Sequence, residues 1–214
     1  ARVGFFTFLI QKIIKNKKII YHLFEPLPLN ILILQKLYSN KPSSFIHPYG
    51  ISDVNGVMGF KCDNLNFIFS NNALNKTSKN IKSKINFYSF SIDSIYKLLN
   101  FKKNDFIKID VEGFEYYVIE GAKDFTHKYS PIFFIEIELR HLSKLKINKM
   151  LNYLYEQNYI SFYFDYEKNK FAEIKLNPKL LRSVQGNIRN EKEYINNFLF
   201  LNSNYHKLEI KKIS

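Results

Sequence analysis

Two hydrophobic patterns alternate along the chain, and each predicts a different element. Apolar residues at Val3, Phe6, Ile10, Ile13 and Ile14 recur every three or four positions, which is the spacing of one helix face. Other apolar stretches are short, unbroken runs of Ile, Phe, Val and Tyr, which indicate strands buried on both faces. Helices that alternate with such strands predict a mainly parallel sheet covered by helices.

The pattern predicts most elements with approximate bounds. The predicted helices are 3–15, 28–39, 93–100, 114–123 and 143–157, and the predicted strands are 18–25, 45–51, a strand that ends at Asp110, 131–138, 160–167 and 197–203. Residues 56–62, 66–70 and 85–91 are short β-rich pieces, and the polar stretch 71–84 is predicted to be a loop. Because the sequence shows no internal repeat and no domain linker, we predict that residues 1–214 form one doubly wound α/β domain.

Composition favours a single intracellular domain. The chain has 214 residues, 46% of them hydrophobic, which is enough to form one substantial core. Its one cysteine, Cys62, excludes an intramolecular disulfide framework, and a reducing cytoplasmic location is expected. The apolar run near residue 1 is interrupted by Gln11 and Lys12, so it is too short to span a membrane, which takes about 20 residues.

The formal net charge of +13 raises the possibility of nucleic-acid binding. The basic residues are 28 Lys and 4 Arg, and they are scattered rather than clustered on one predicted face. With only 4 Arg, the chain has few of the side chains that bind phosphate best, which weakens the case for nucleic-acid binding. Nucleic acid is not an expected partner, although binding driven by charge alone remains the weaker alternative.

The stretch from Ile107 to Glu115 carries the clearest chemical signal. A short apolar strand ends in Asp110, Glu112 and Gly113, and a helical pattern follows at once. Ionised carboxylates are costly inside a core, because they lose their hydration. They are common where open sheets bind ligands, at the carboxyl ends of the strands. The stretch therefore predicts a binding crevice.

A second acidic strand end lies at Phe24-Glu25-Pro26. Gly4 precedes Glu25 by 21 positions, and this spacing is typical of a carboxylate that binds ribose hydroxyls in nucleotide-binding folds. Glu25 would equally suit the start of the following helix, where negative charge is favourable. These two interpretations remain open on this segment alone.

Histidine spacing gives no support to metal chemistry. The five histidines form no pair at positions i and i+4, and none adjoins the cysteine, so no metal site is predicted. His141 is interpreted as part of a solvated turn between strand and helix, and it is a distant second candidate for a general base. Glu115 is interpreted as an exposed residue in the first helical turn.

Several segments occur in an order that resembles the FkbM-type S-adenosylmethionine-dependent methyltransferases. They are Gly4-Phe5-Phe6-Thr7, Phe24-Glu25-Pro26, Ile51-Ser52-Asp53 with Gly56, Ser91-Ile92-Asp93, Lys108 to Glu115 with Gly121-Ala122, and Phe134-Ile135-Glu136. The resemblance covers roughly residues 1–140, with a looser match through Phe198 to Leu201.

The resemblance implies a class I methyltransferase fold with an antiparallel last strand and S-adenosylmethionine as cofactor. By this analogy, Gly4, Glu25, Ser52, Asp53 and Asp110 bind the cofactor, with Glu25 on the ribose and Ser52 and Asp53 near the adenine. Asp110 is the implied catalytic residue, while Glu112 and Glu136 are implied to bind the acceptor. The implied reaction is O-methylation of a hydroxyl on a sugar, another small molecule or a glycan.

The start of the chain departs from the family pattern. The family has a strand and a glycine loop before the position of Gly4, whereas this sequence begins at Ala1, with Arg2 in place of the usual asparagine. We therefore expect an N-terminally truncated domain that lacks the first strand. The alternative is an inactive remnant or a non-catalytic binding module of the same fold.

Overall fold

The helices and strands are those of a computed structural model, which describes residues 4–14, 19–62, 83–101, 105–185 and 194–213. The chain divides into two compact units, Ala1–Ser91 and Ile92–Ser214. Both combine helices with sheets, so the predicted α/β class is confirmed. A single domain with a doubly wound sheet remains a prediction, as does the missing first strand.

The first unit contains two helices and two small sheets. Its elements are α1 (Phe5–Ile13), β1 (Tyr21–Phe24), α2 (Pro28–Tyr38), β2 (Ser44–His47), β3 (Gly50–Ile51), β4 (Gly56–Cys62) and β5 (Ser83–Phe90). Strands β1 and β2 pair in parallel, while β5 lies between β3 and β4, parallel to β3 and antiparallel to β4. The predicted strand 45–51 is interrupted at Pro48 and Tyr49, because proline has no N–H to donate to a strand partner.

Two predictions for this unit concern residues that lie largely outside the described part of the chain. The β-rich piece 66–70 and nearly all of the predicted loop 71–84 lie outside the described residues, and only the last two positions of that loop belong to β5.

One face of the β1–β2 sheet packs on α2. Leu23 of β1 contacts Leu34 and Tyr38 of α2 in a buried cluster. Gly4, which has φ +70°, precedes α1 and accepts a hydrogen bond of 2.8 Å from the Tyr38 hydroxyl through its carbonyl oxygen. A Cβ at Gly4 would lie 2.7 Å from the Tyr38 ring, so both the backbone conformation and the packing favour glycine here.

The opposite face of the same sheet carries a stack of aromatic rings. His22 stacks on Phe45 and on His47, and His47 stacks in turn on Phe24. The two imidazoles are also joined by a contact of 2.9 Å between His22 Nδ1 and His47 Nε2. Burial, and secondarily the neighbouring charge of His22, lower the pKa of His47 to about 4.

This pKa predicts acid sensitivity of the first unit. The ordinary pKa is 6.5, so in acid the unfolded chain takes up the proton before the folded chain does. The stabilising contribution is intact above about pH 6.5 and is lost as the pH falls toward 4. Because the ring is only partly buried and solvent screens its charge, we expect a loss of about 1 kcal/mol.

Urea unfolding between pH 7 and pH 4 measures this effect. His47→Phe, which retains a stacking ring, should flatten the pH dependence relative to wild type. The control is His127→Phe, because His127 makes only an exposed hydrogen bond to Gln157. Equal pH slopes for wild type and His47→Phe would contradict the assignment.

The second unit is built on a five-stranded sheet. Its elements are α3 (Ile92–Ile95), β6 (Phe106–Ile109), α4 (Glu115–Glu120), α5 (Lys123–Tyr129), β7 (Ile132–Glu136), α6 (Lys144–Glu156), β8 (Tyr159–Asp165), β9 (Lys170–Glu173), α7 (Pro178–Gln185), β10 (Asn197–Asn202) and α8 (Lys207–Ile213). The strand order is β6-β7-β10-β8-β9. Strands β6 and β7 are parallel, and β10 runs antiparallel to β7 and β8, as predicted for the last strand.

Alternation along the strands places the core on one face of this sheet. Ile109, Phe133, Ile135, Phe198 and Phe200 are 0–2% exposed. Residues at intervening positions, such as Lys108 and Glu136, point to the other face because successive side chains of a strand alternate. Lys108 and Glu136 therefore lie on the face opposite this core.

The predicted helix 114–123 ends earlier than expected, and a second helix follows it. α4 ends at Glu120 and α5 begins at Lys123. The Asp93 carboxylate accepts hydrogen bonds from the backbone N–H groups of Asp124 (3.1 Å) and Phe125 (2.9 Å). A cap supplied from a distant part of the chain thus fixes the start of α5.

In the described part of the chain, no helix combines the length and the apolar character needed to cross a membrane.

Candidate active site

The candidate site of the second unit is formed at the carboxyl ends of β6 and β7. The register pairs Lys108 with Phe134 and Ile109 with Ile135, so Asp110 follows β6 at the level where Glu136 ends β7. Asn197 of β10 pairs with Glu136 from the other side. The fold therefore brings three polar residues from distant parts of the sequence to one edge of the sheet.

Asp110 and Glu136 form a closely coupled pair of carboxyl groups. Burial, followed by the hydrogen bond and the negative charge of Asp110, raises the pKa of Glu136 to about 9. Glu136 is thus protonated at neutral pH. Two adjacent carboxyl groups do not readily ionise together, since each charge disfavours the other.

Lys108 compensates part of the negative charge at this edge. Its Nζ lies 3.6 Å from Asp110 Oδ2 and donates hydrogen bonds to Asn197 Oδ1 (2.9 Å) and to the Ile109 carbonyl (3.2 Å). Burial lowers the pKa of Lys108, while the charges of Asp110 and Glu136 oppose that shift. A buried cation beside the carboxyl pair makes ionisation of one member less costly.

Asn196 links the carboxyl group of Glu136, at the end of β7, to that of Glu138, two residues later. Its Nδ2 donates to Glu136 Oε1 at 2.6 Å and to Glu138 Oε1 at 2.7 Å. Asn197 Nδ2 donates to Asn196 Oδ1 at 2.7 Å, so the amide of Asn196 is oriented in turn. The network holds both glutamates in fixed positions.

The turn after β6 has an unusual backbone. Glu112 has φ +51° and Gly113 has φ +100°, and a positive φ is uncommon for a residue other than glycine. The Glu115 carboxylate accepts hydrogen bonds from the N–H groups of Val111 (3.2 Å) and Gly113 (3.1 Å). Glu115 is 3% exposed, so the interpretation as an exposed helix residue is wrong. The turn encloses its carboxylate, and burial raises the pKa of Glu115.

We expect Glu115→Ala to destabilise the protein strongly. The substitution would leave the N–H groups of Val111 and Gly113 without this acceptor in a partly buried turn. Loss of such a network costs about 2–4 kcal/mol. Urea unfolding measures the change, with Glu120→Ala as control. Glu120 of the same helix forms only a partly exposed ion pair with Lys123, worth about 1 kcal/mol or less. Similar losses for the two variants would refute the role of Glu115.

His141 also differs from its sequence interpretation. Its side chain is 6% exposed, and Nε2 lies 3.1 Å from Glu112 Oε2 and 3.2 Å from Glu138 Oε2. The solvated turn is therefore wrong, because the imidazole is buried between two carboxylates. Both ring nitrogens are buried, and Nε2 is in close polar contact with both carboxylates.

Glu138 is the buried anchor of this cluster. Its side chain is 1% exposed, and it contacts Arg140 Nε and Asn196 as well as His141. Although burial acts to raise the pKa of Glu138, the hydrogen bonds from His141, Arg140 and Asn196 outweigh it and lower the pKa to about 2. Tyr194 is hydrogen-bonded to the same carboxylate, and burial together with the charge of Glu138 raises the pKa of Tyr194 to about 12.

The first unit contains the other predicted site residues. Glu25 follows β1, is 4% exposed, and accepts a hydrogen bond of 3.0 Å from the N–H of Leu27. Ser52 is buried and donates to Asp53 Oδ1 at 2.9 Å, while Asp53 itself is exposed. Gly4 lies at the start of α1 and packs on Tyr38. Within this unit, Glu25 and Ser52 therefore each directly follow a strand, close to the strand ends that the motifs predict.

Sequence reasoning missed several members of the second unit's network. They are Lys108 as a site residue, Glu138, Arg140, Tyr194, Asn196 and Asn197. One signal was present: Glu136 and Glu138 are two positions apart at the end of a strand, which favours the same face for both carboxylates. Asn196 precedes β10 and Asn197 begins it, without a recognisable spacing, and only the folded sheet brings them to the edge.

Among the described residues, no three or more His, Cys, Asp or Glu side chains are arranged so that they could hold a metal ion.

Comparison with known proteins gives two positive findings. The family model of the methyltransferase FkbM domain matches residues 1–161. The fold is similar to the crystal structure of the methyltransferase FkbM from Methylobacillus flagellatus KT, with a TM-score of 0.56 and 16% sequence identity. The similarity covers 94% of this chain but 41% of the crystallised chain, so the present sequence spans less than half of that protein. A comparison with curated proteins found no significant match.

Proposed function

Because the chain belongs to the FkbM methyltransferase family, we propose that it transfers a methyl group from S-adenosylmethionine to a hydroxyl of a sugar, a glycan or another small molecule. The family membership supports the methyltransferase role. The finer assignment depends mainly on one observation, the coupled pair of Asp110 and Glu136 beside Lys108 at the carboxyl edge of the sheet.

The residues of the first unit have the chemistry that the cofactor requires. The Glu25 carboxylate directly follows β1 and is suited to accept hydrogen bonds from vicinal ribose hydroxyls. Ser52 and Asp53 follow β3 and offer hydroxyl and carboxylate groups for the adenosine. We also assign Gly4 to cofactor binding, because a residue without a side chain lets a ligand approach the backbone closely. When bound, S-adenosylmethionine supplies an electrophilic methyl group on a sulfonium.

In the second unit, Asp110 is the proposed general base. The acceptor oxygen gains the methyl group and gives up its proton, which Asp110 takes. Asp110 is 37% exposed at its side chain, so it is accessible to an acceptor, whereas Glu136 is the inner and protonated member of the pair. A general base contributes about 10²–10⁴-fold to such a transfer. Glu112 and Glu136 are proposed to bind and orient the acceptor.

Two measurements test the proposal. Calorimetry with S-adenosylhomocysteine reports cofactor binding, and mass spectrometry of glycan and metabolite pools incubated with methyl-labelled S-adenosylmethionine reports transfer. We expect both binding and a labelled O-methyl product. Binding without any labelled product would favour a non-catalytic binding module, and a labelled amine or thiol would contradict O-methylation.

A further inference from the structure

We infer that His141 is a positioning residue, which holds the Glu112 carboxylate at the acceptor-binding edge through a buried link to Glu138. The inference rests on the proposed function, since it extends the acceptor site beyond Glu112. It assigns a role to two residues, His141 and Glu138, that the sequence motifs leave without one.

The first observation is a gradient of exposure across three contacting groups. The side chain of Glu138 is 1% exposed, that of His141 is 6% exposed, and that of Glu112 is 29% exposed. His141 Nε2 lies 3.1 Å from the outer carboxylate and 3.2 Å from the inner one. Only Glu112 therefore presents much of its surface to a ligand, while the imidazole connects it to a buried anchor.

The second observation is the rigidity of the anchor. Asn196 donates to Glu138 Oε1 at 2.7 Å, and Arg140 Nε contacts Oε2. A buried carboxylate that is paired in this way does not reorient without losing several charge-assisted hydrogen bonds. Since His141 contacts this anchor through Nε2, its ring orientation is fixed by a carboxylate that does not itself reach the exposed edge.

The third observation is the close packing of the Glu112 turn on residue 141. A Cβ at Gly113 would lie 2.8 Å from the His141 carbonyl oxygen, so only glycine permits this approach. Glu112 itself has φ +51°, a conformation that costs energy for a residue with a side chain. Such an uncommon conformation is often retained where it aims a functional group. The Glu115 carboxylate holds the turn from its other side.

These contacts argue against direct catalysis by His141. Both of its ring nitrogens are buried, and among the described residues Nδ1 has no hydrogen-bond partner. An acceptor hydroxyl would therefore meet Glu112 rather than the imidazole. Carboxylates accept strong hydrogen bonds from hydroxyl groups, so the ligand expected at Glu112 is a neighbouring hydroxyl of a polyhydroxylated acceptor.

The first test needs no turnover. In protein labelled with ¹⁵N at histidine, the Nε2 resonance of His141 should move on Glu112→Gln and on Glu138→Gln. It should stay in place on Asp165→Asn, a control at an exposed turn where the aspartate pairs with Lys168. An unmoved His141 resonance in Glu112→Gln would show that the contact does not exist, and would overturn the inference whether or not the chain is active.

The second test measures the consequence for the acceptor. With methyl-labelled S-adenosylmethionine and the acceptor pool, His141→Phe and Glu112→Gln should each raise the apparent KM for the pool about tenfold or more and change kcat by less than threefold. The double variant should be no worse than either single variant, because both remove one interaction. His141→Gln, which keeps an N–H donor, should restore much of the affinity. Affinity for S-adenosylhomocysteine should stay within twofold in all variants.

The outcomes separate this inference from the proposed function. A moved resonance with an unchanged acceptor KM, or additive effects in the double variant, would overturn the positioning role while leaving methyl transfer intact. If the wild-type protein transfers no methyl group while the two variants still move the His141 resonance, the proposed function is overturned. The acceptor role of His141 then falls with it, but its contact with Glu112 stands.

Discussion

Asp110→Asn should lower the rate of methyl transfer by about 10²–10⁴-fold with little effect on folding. The amide retains the size of the side chain but cannot take a proton from the acceptor. The side chain is 37% exposed, so its replacement leaves no cavity in the core. Transfer of label from S-adenosylmethionine measures the rate, and urea unfolding measures the stability of the same preparation.

Glu136→Gln is the matched control for this substitution. The pKa of Glu136 is raised to about 9, so at pH 7 the native side chain is a protonated acid, and glutamine resembles it in shape and in having a donor. We expect Glu136→Gln to retain a rate within about threefold of wild type at pH 7. Equal and severe losses in both variants would show that Glu136 acts in its ionised form and that Asp110 is not the sole base.

Glu25→Ala should weaken the binding of S-adenosylhomocysteine by roughly 10–100-fold. The estimate follows from the loss of charge-assisted hydrogen bonds worth about 1.5–3 kcal/mol. Isothermal calorimetry measures the affinity. Equal dissociation constants for wild type and Glu25→Ala would contradict the assignment of this carboxylate to the ribose.

Glu25→Gln separates ligand binding from a local structural effect. Glu25 Oε1 accepts a hydrogen bond from the Leu27 N–H at 3.0 Å, and the amide oxygen of glutamine can accept the same bond. This variant should therefore fold as wild type does and lose affinity to an intermediate degree. A loss of stability in Glu25→Ala that is absent in Glu25→Gln would identify the contribution of the Leu27 contact.

The sequence predicted the apolar strands more reliably than the polar elements. β7 and β10 are recognisable because their runs of Ile, Phe and Leu fill a core that buries Phe133 and Phe198 completely. β9 (Lys170–Glu173), α7 (Pro178–Gln185) and α8 (Lys207–Ile213) were missed. Their sequences are short and rich in lysine or polar residues, so local pattern carries little information and pairing to the rest of the sheet decides their structure.

The same limit applies to the candidate site. Asp110 and Glu136 end strands, and a strand end is visible in the sequence as an apolar run followed by an acid. The relationship of Glu112 to His141 is not visible, because these residues are 29 positions apart and contact only through the packing of two turns. Burial of Glu115 was likewise missed, since a first-turn glutamate is ordinarily satisfied by the helix terminus and remains in solvent.

The cap that Asp93 places on α5 has a consequence for the order of folding. The N–H groups of Asp124 and Phe125 find their acceptor more than 30 residues earlier in the chain. A short helix of 7 residues has little intrinsic stability, because nucleation is costly. Residues 123–129 therefore depend on the prior docking of the segment around Asp93, and their amide protons should exchange as one cooperative group with that segment rather than by independent fraying of α5.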